Sequence, residues 1–299
     1  MNEKRFLTVV VKYTYCISYD SAPGGETLLP EKKELVVNQR KYLLDNQAPE
    51  AGDRFRAFAD IFDPSTFRHI TALGLARGWH CWEVGAGGTS VIRWLAEQVG
   101  PTGRVLATDI DLSWAREATG AHVEISLHDV ARDEPPLETF DLVHARLVVV
   151  HLPNRDKALR SMVHALKPGG WLLIEDADPA LQPFSCLDTH GPEHELANQI
   201  RRGFRSLLSA RGADLAFGRK LPRFLREVGL VNVAADAYFP VALQACIPLE
   251  MATVKMIRGE LIAHGIATAD EIDLHLAHVA AGRLDLAQPP MISAWGSRP

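Results

Sequence analysis

The chain has 299 residues, 47% of them hydrophobic, and a formal net charge of −5. That is enough apolar material to bury a full core, and its acidic balance offers no general attraction to nucleic acid. The four cysteines, Cys16, Cys81, Cys186 and Cys246, are far apart, so neither a disulfide framework nor a cysteine-based metal site is expected.

The first twenty residues, MNEKRFLTVVVKYTYCISYD, join a basic start to an apolar run as a leader would. Lys12 interrupts that run, however, and no small-residue cleavage site follows. No segment approaches the ~18 apolar residues that span a bilayer, so a cytoplasmic chain without a membrane partner is expected. Residues 1–37 read as an N-terminal extension, a short β-like piece closed by the turn-rich SAPGGETLLPEKK at 21–33. Two short helices are predicted next, Asn38 to Gln47 and Arg54 to Phe62, with Pro49 and Gly52 between them.

From Trp79 to Asp176 strands and helices alternate, which predicts a parallel sheet covered on both faces. A buried strand, Cys81 to Val84, runs into Gly85-Ala86-Gly87-Gly88. Without side chains there, backbone can approach a ligand closely, and the next helix turns free N–H groups towards the same place. Val91, Trp94, Leu95 and Val99 mark the apolar face of that helix, and Gly100-Pro101 stops it. The second strand, Arg104–Thr108, leads to Asp109, 24 positions after Gly85, where a carboxylate can accept from ribose hydroxyls. Further strands are predicted at His122–Ser126 and Phe140–His144, and Asn154 is placed to cap a helix ending at Leu166. Lys167-Pro168-Gly169-Gly170 then turns the chain into a strand over Trp171–Asp176.

Beyond Asp176 the rhythm changes. An irregular stretch from Ala177 to Gly191 precedes a helix opened by Pro192 and closed at Gly212. A short helix over 221–228, a strand Leu230–Pro240, helices over 247–264 and 268–281, and a last strand Met291–Trp295 complete the pattern. The second of those helices starts with a capping box, Thr268-x-x-Glu271. Between Arg201 and Arg226 stand eight basic residues and one acid, Asp214. That is either a solvated helix face or a basic rim for an anionic substrate or carrier.

The glycine turn and Asp109 form a nucleoside half-site, and two residues bear on which nucleoside. A dinucleotide fingerprint would place a third glycine where Ser90 stands. Glu83, two positions before the first glycine, would repel a pyrophosphate and welcome an ammonium. S-adenosylmethionine carries an ammonium and a sulfonium and no phosphate. A nicotinamide-dependent oxidoreductase and a cofactor-binding protein without turnover remain the rival readings.

In this order and spacing the residues resemble the class I S-adenosylmethionine-dependent methyltransferases, particularly the small-molecule type common in bacterial secondary metabolism. The resemblance rests on Glu83-Val-Gly-Ala-Gly-Gly88, Asp109-Ile110-Asp111, His128-Asp129-Val130, Phe140-Asp-Leu-Val-His-Ala-Arg146 and Leu166-Lys-Pro-Gly-Gly-Trp171, over residues 80–176. It implies an α/β Rossmann-like fold with a mostly parallel seven-stranded sheet, helices on both faces and helical lid insertions. The domain would run over 63–299, with lid helices at 38–62 and substrate caps at about 177–213 and 241–287.

The resemblance also assigns roles. Gly85, Ala86 and Gly87 would face the methionyl part, and Glu83 would organise its ammonium. Asp109 would take the ribose hydroxyls, and Ile110 would pack on the adenine. His128, Asp129 and Val130 would form the adenine region, with the Asp129 carboxylate accepting from the amino group and the Val130 N–H donating to the ring. The backbone of Ala145 and Arg146 would line the methyl-donor pocket. His151, just past the fourth strand, is the candidate base for the acceptor. Simpler readings stand beside these: Asp129 and Asp111 as local caps, Arg146 paired with a core acid, His144 as a satisfied core residue, and His151 fixing its turn.

His190, Glu193 and His194 open the inserted helix and could reach over the site or stand in solvent. Tyr42, Phe62, Phe184, Phe204 and Met251 are candidate lining groups for a planar or apolar acceptor. The expected reaction is in-line methyl transfer to oxygen, nitrogen or carbon of a small organic molecule. The sequence leaves room for a homodimer and calls for no metal.

Overall fold

The alternating apolar segments assemble into one seven-stranded sheet in a computed structural model, which describes residues 43–44, 48–136, 139–152 and 154–299. The expected N-terminal extension and the helix Asn38–Gln47, Tyr42 included, lie outside the described residues apart from Leu43 and Leu44.

The strands are β1 (His80–Val84), β2 (Arg104–Asp109), β3 (Val123–Leu127), β4 (Phe140–Arg146), β5 (Leu166–Ala177), β6 (Val231–Tyr238) and β7 (Met291–Ser297). Their order across the sheet is β3-β2-β1-β4-β5-β7-β6. The first five pair in parallel, and β7 lies antiparallel between β5 and β6. Successive strands step one way from β1 to β3 and the other way from β4, so a crevice opens between the carboxyl ends of β1 and β4. Ligands of open α/β sheets bind at such a reversal.

The helices are α1 (Ala51–Ala72), α2 (Ser90–Val99), α3 (Arg155–Ala165), α4 (Pro192–Ala210), α5 (Leu221–Glu227), α6 (Cys246–Ala263) and α7 (Ala269–Ala280). One sheet face buries Trp82, Phe140 and Leu172 under Leu159 and Met162 of α3 and Leu225 of α5. The other buries Cys81, Leu142 and Leu173 under Ile70 of α1 and Ile92 and Leu95 of α2. Strands buried on both faces read as mostly apolar runs, which makes them legible. A separate cluster, with Ile200, Leu207, Val254, Ile257, Leu261 and Ile272, joins α4, α6 and α7 into a helical layer. Among the described residues no helix is long and apolar enough to cross a membrane.

Three local expectations change. The helix expected over Arg54–Phe62 runs for 22 residues and carries Gly52 and Pro64 within it. Ala57, Ile61, Phe62, Thr66, His69 and Ile70 are buried along it at helical spacing, and that packing outweighs the local cost of the proline. The expected boundary at residue 62 thus falls in mid-helix. β5 begins at Leu166 rather than Trp171: Leu166 pairs with Phe140, an irregularity follows, and Gly169 takes φ +80° inside the strand. Asn154 occupies the N-cap position of α3, but its side chain makes no capping bond. The capping box of α7 forms as expected, with the Glu271 amide donating to Thr268 Oγ1 at 3.2 Å and the Thr268 amide to Glu271 Oε2 at 2.7 Å.

Candidate functional site

The turn after β1 is shaped by two glycines with positive φ, each closely approached by a neighbouring side chain. Gly85 has φ +67°, and a Cβ there would lie 2.2 Å from Val148 Cγ2. Gly87 has φ +55°, and its Cβ would stand 3.0 Å from Phe55 of α1. Both conformations favour glycine on backbone grounds alone. The Gly85 and Ala86 amides donate to the Thr108 carbonyl at 2.7 and 3.0 Å, tying the turn to the end of β2.

Asp109 completes the arrangement. Its Oδ2 accepts from the Gly87 amide at 3.0 Å and its Oδ1 from the Asp111 amide at 2.9 Å. A carboxylate oxygen has two acceptor positions, so each keeps one for a ligand hydroxyl. Ile110, beside it, is 72% exposed.

A cavity of about 680 Å³ opens over these strand ends. Glu83, Gly85, Ala86, Gly87, Asp109 and Ile110 line it, as do His128, Asp129, Val130, Arg146 and His151. Ala145 does not. Its side chain is 0% exposed and packs with Val84 and Ile174 in the sheet core, and its backbone does not reach the cavity wall expected for it. Neither ring nitrogen of His128 has a partner among the described residues, and the ring stands edge-on to Trp82 at 5.4 Å.

The simpler readings hold for several residues at once. Asp129 Oδ1 accepts from the Ala131 amide at 2.9 Å, and Asp111 Oδ1 from the Ser113 amide at 2.9 Å, so both act as local caps. Arg146 donates to Asp63 at 2.8 Å and to Thr66 at 2.9 Å, so a core acid on α1 holds its guanidinium.

His144 is a satisfied core residue, and it belongs to a larger buried network. Its Nδ1 lies 2.6 Å from Glu83 Oε2 and its Nε2 lies 3.3 Å from Glu175 Oε2. Glu175 also accepts from the hydroxyls of Ser293 and Thr66. On its far side His69 Nδ1 stands at 3.3 Å, within ion-pair distance but without hydrogen-bond alignment, and His69 Nε2 reaches Asp236 at 2.8 Å. Burial alone would lower the His144 pKa, but the two carboxylates overcome it and raise it to about 9. Burial would likewise raise Glu175, yet His144, His69 and Arg146 hold its carboxyl well below the usual range. The available signal in the sequence is three ionisable residues, Glu83, His144 and Glu175, each directly preceded by an apolar residue within its strand. Glu83 and His144 are register partners on adjacent strands.

His151 ends a 3₁₀ turn over Val149–His151 and opens onto the cavity. The residue is exposed on the cavity wall, yet the protein around it strips part of the ring's solvation and Arg54 and Arg155 oppose its charge, which lowers its pKa to about 4. It is therefore neutral near neutral pH and can accept a proton, as a weak base. His190, Glu193 and His194 do not line the cavity: His190 is exposed, and His194 is buried with its ring 4.1 Å from that of His190.

Among the expected lining groups, Phe62 and Phe204 reach the cavity. Phe184 is 43% exposed elsewhere, and Met251 packs in the cluster below. Phe55 and Phe58 of α1, Leu249 and Ile257 of α6 and Gln288 line it without having been anticipated. Three of the eight basic residues between Arg201 and Arg226 pair with acids distant in sequence. Arg201 pairs with Glu250 at 3.0 Å, Arg211 with Glu260 at 2.9 Å and Arg219 with Asp178 at 2.6 Å.

Residues 82–172 match the protein family described as "Methyltransferase domain". Methyltransferase str2 of Strobilurus tenacellus is 32% identical over 174 residues, 55% of this chain and 58% of that protein. The ubiquinone/menaquinone biosynthesis C-methyltransferase UbiE of Bordetella parapertussis is 28% identical over 191 residues, 56% of this chain and 69% of that protein. The structure of Haemonchus contortus phosphoethanolamine N-methyltransferase 2 in complex with S-adenosyl-L-methionine aligns with a TM-score of 0.55 at 16% identity, over 86% of this chain and 60% of that one. The chain carries the class I methyltransferase fold. The match spans less than two thirds of str2, and the methyltransferase region it shares is the sheet half containing the glycine turn, Asp109 and β4.

Proposed function

We propose that this protein binds S-adenosylmethionine at the glycine turn and transfers its methyl group to oxygen, nitrogen or carbon of a small, largely apolar acceptor. The observation that carries the reading is the Gly87–Asp109 bond beneath the cavity. It leaves a pre-positioned carboxylate with free acceptor positions at the crevice between β1 and β4.

The residues present fit the cofactor on several independent grounds. Gly85 and Gly87 form a cradle that a Cβ would close. Glu83 places a carboxylate beside that cradle, suited to an ammonium and hostile to a pyrophosphate. Ile110 offers an exposed apolar surface to a flat base, and His128 lines the same cavity with both ring nitrogens unpartnered. When bound, S-adenosylmethionine supplies an electrophilic methyl on sulfur, open to in-line attack.

The remaining work falls to the chain. Asp109, Glu83 and the turn orient the donor, and the aromatic wall of Phe55, Phe58, Phe62 and Phe204 excludes water and holds the acceptor. His151 stands neutral on the cavity wall and takes the acceptor proton where the nucleophile carries one. The apolar wall favours a ring-bearing or aliphatic acceptor, as the relatives named for quinone biosynthesis also suggest.

Mass spectrometry of the nucleoside released from freshly purified protein tests the donor. S-adenosylmethionine or S-adenosylhomocysteine is the expected finding, and a stoichiometric nicotinamide dinucleotide overturns the proposal.

A further inference from the structure

The cavity has a second polar centre that donor binding does not use. Its wall on α4, α6 and the segment before β7 is mostly apolar, formed by Ile200, Phe204, Leu249, Val254 and Ile257. Set into that wall are Arg201, Glu250 and Gln288, which are 5%, 4% and 5% exposed and all line the cavity. Burying such groups is costly unless each finds a partner.

Glu250 is satisfied. Its Oε2 accepts from Arg201 Nη2 at 3.0 Å and its Oε1 lies 3.2 Å from His275 Nε2. Against the upward push of burial, these neighbours lower its pKa to about 2. The hydrogen bonds of Arg201 all leave from Nη2, to Glu250 and, at 3.4 Å, to Ser185 Oγ and the Ala287 carbonyl. Gln288 is different. Its Nε2 is buried with no hydrogen-bond partner among the described residues. The Cys246 thiol is close enough to feel the amide, but no bond of acceptable geometry reaches Nε2. The cluster thus holds an unpartnered donor behind the cavity wall, which a turn of the Gln288 amide presents to a ligand, and its one carboxylate is already engaged. Arg201 and Glu250 also balance each other's charge, so an incoming carboxylate would be desolvated with no free cation to meet it.

We propose that Gln288, seated beside the Arg201–Glu250 pair, is the specificity-determining donor of the acceptor site and receives a neutral carbonyl oxygen carried on an apolar, ring-bearing molecule. The inference rests on reading this cavity as the acceptor site of a methyltransferase. A buried donor left unpaired by the wrong ligand discriminates strongly against analogues that lack the matching acceptor. The four phenylalanines on the same cavity supply the apolar contact for the ring.

Binding of three bicyclic probes, measured by calorimetry with and without saturating S-adenosylhomocysteine, tests this. They are 1-tetralone, tetralin, which lacks the oxygen, and 1-naphthoate, which carries a carboxylate. Tetralone is expected to bind about tenfold more tightly than tetralin or naphthoate. Gln288→Leu should bring tetralone and tetralin within about twofold, at unchanged affinity for S-adenosylhomocysteine. It removes an unsatisfied group and keeps the backbone bond to Pro240, so it should fold at least as stably as the parent. Gln288→Glu keeps the size, turns the donor into an acceptor and should weaken tetralone alone. Equal binding of tetralone and tetralin, a preference that survives Gln288→Leu, or tighter binding of naphthoate overturns the inference. Failure of S-adenosylhomocysteine to bind while the carbonyl preference persists strikes the donor assignment and leaves the subsite standing.

Discussion

His144 Nδ1 lies 2.6 Å from Glu83 Oε2 across the β4–β1 pairing, so the carboxylate facing the glycine turn is backed by an imidazole that is 0% exposed. The same ring reaches Glu175 at 3.3 Å, and the chain continues through His69 to Asp236 at the β6 edge. A carboxylate at this position would otherwise be buried without a counter-charge. Here the counter-charge sits behind it, in the sheet, leaving the cavity side clear.

This relationship has a pH signature. His144 has its pKa raised from 6.5 to about 9, so its stabilisation is complete below pH 6.5 and is lost as pH rises through about 9. The His69 pKa is also raised, and its contribution fades in the same direction. Thermal melts should therefore show stability falling between pH 6.5 and 9. In His144→Gln that slope should be shallower, and the variant should be less stable than the parent at pH 6.5 by on the order of 3 kcal/mol. A variant with an unchanged pH slope would show that His144 is neutral in the fold.

The glycine turn makes a steric prediction. Gly85→Ala places a methyl 2.2 Å from Val148 Cγ2 at a φ of +67°, so two penalties act together. It should cost roughly 2 kcal/mol or more in unfolding free energy and weaken donor binding. Adding Val148→Ala should recover the steric part and leave the backbone part, so the double variant should be more stable than Gly85→Ala alone. Equilibrium denaturation of the three variants measures this.

Asp109→Asn keeps the side-chain size but replaces one acceptor oxygen with a donor and removes the charge. One of the two amides it now holds, Gly87 N or Asp111 N, loses its acceptor. Affinity for S-adenosylmethionine should fall about 10- to 100-fold, with folding largely preserved, as titration calorimetry and thermal melts together would show.

His151 is held neutral by partial desolvation on the cavity wall and by Arg54 and Arg155, with a pKa of about 4. Its NMR titration should show no midpoint between about pH 5 and 8, where an ordinary histidine titrates. With the acceptor in hand, His151→Ala should lower kcat by about a hundredfold at unchanged donor affinity if the nucleophile carries a proton. Full turnover at saturating acceptor removes His151 from the chemistry.

The parallel sheet was readable because its strands are doubly buried and bounded by glycine and proline. Gly100-Pro101 ends α2 and Gly85 ends β1, as their chemistry demands. The candidate donor site was readable because one turn and one strand end bring Gly85, Gly87, Asp109 and Ile110 to the cavity from a short stretch. The rest required the third dimension. Pro64 masked the continuation of α1, whose buried stripe forms only against the sheet. Arg201 looked like part of a basic surface because its partner, Glu250, is 49 positions away on another helix. Glu175 and His69, with Asp236, come from three elements, so their meeting has no local pattern. Strand alternation sends the Ala145 side chain into the sheet core, on the face opposite that of Arg146.

Calorimetric titration of the purified protein with S-adenosylmethionine, S-adenosylhomocysteine and NAD bears most directly on the central claim. Glu83 beside a two-glycine turn and Ser90 in place of a third glycine require both S-adenosyl compounds to bind stoichiometrically and NAD not to compete. Tight binding of NAD, with S-adenosylmethionine failing to bind, would contradict the account.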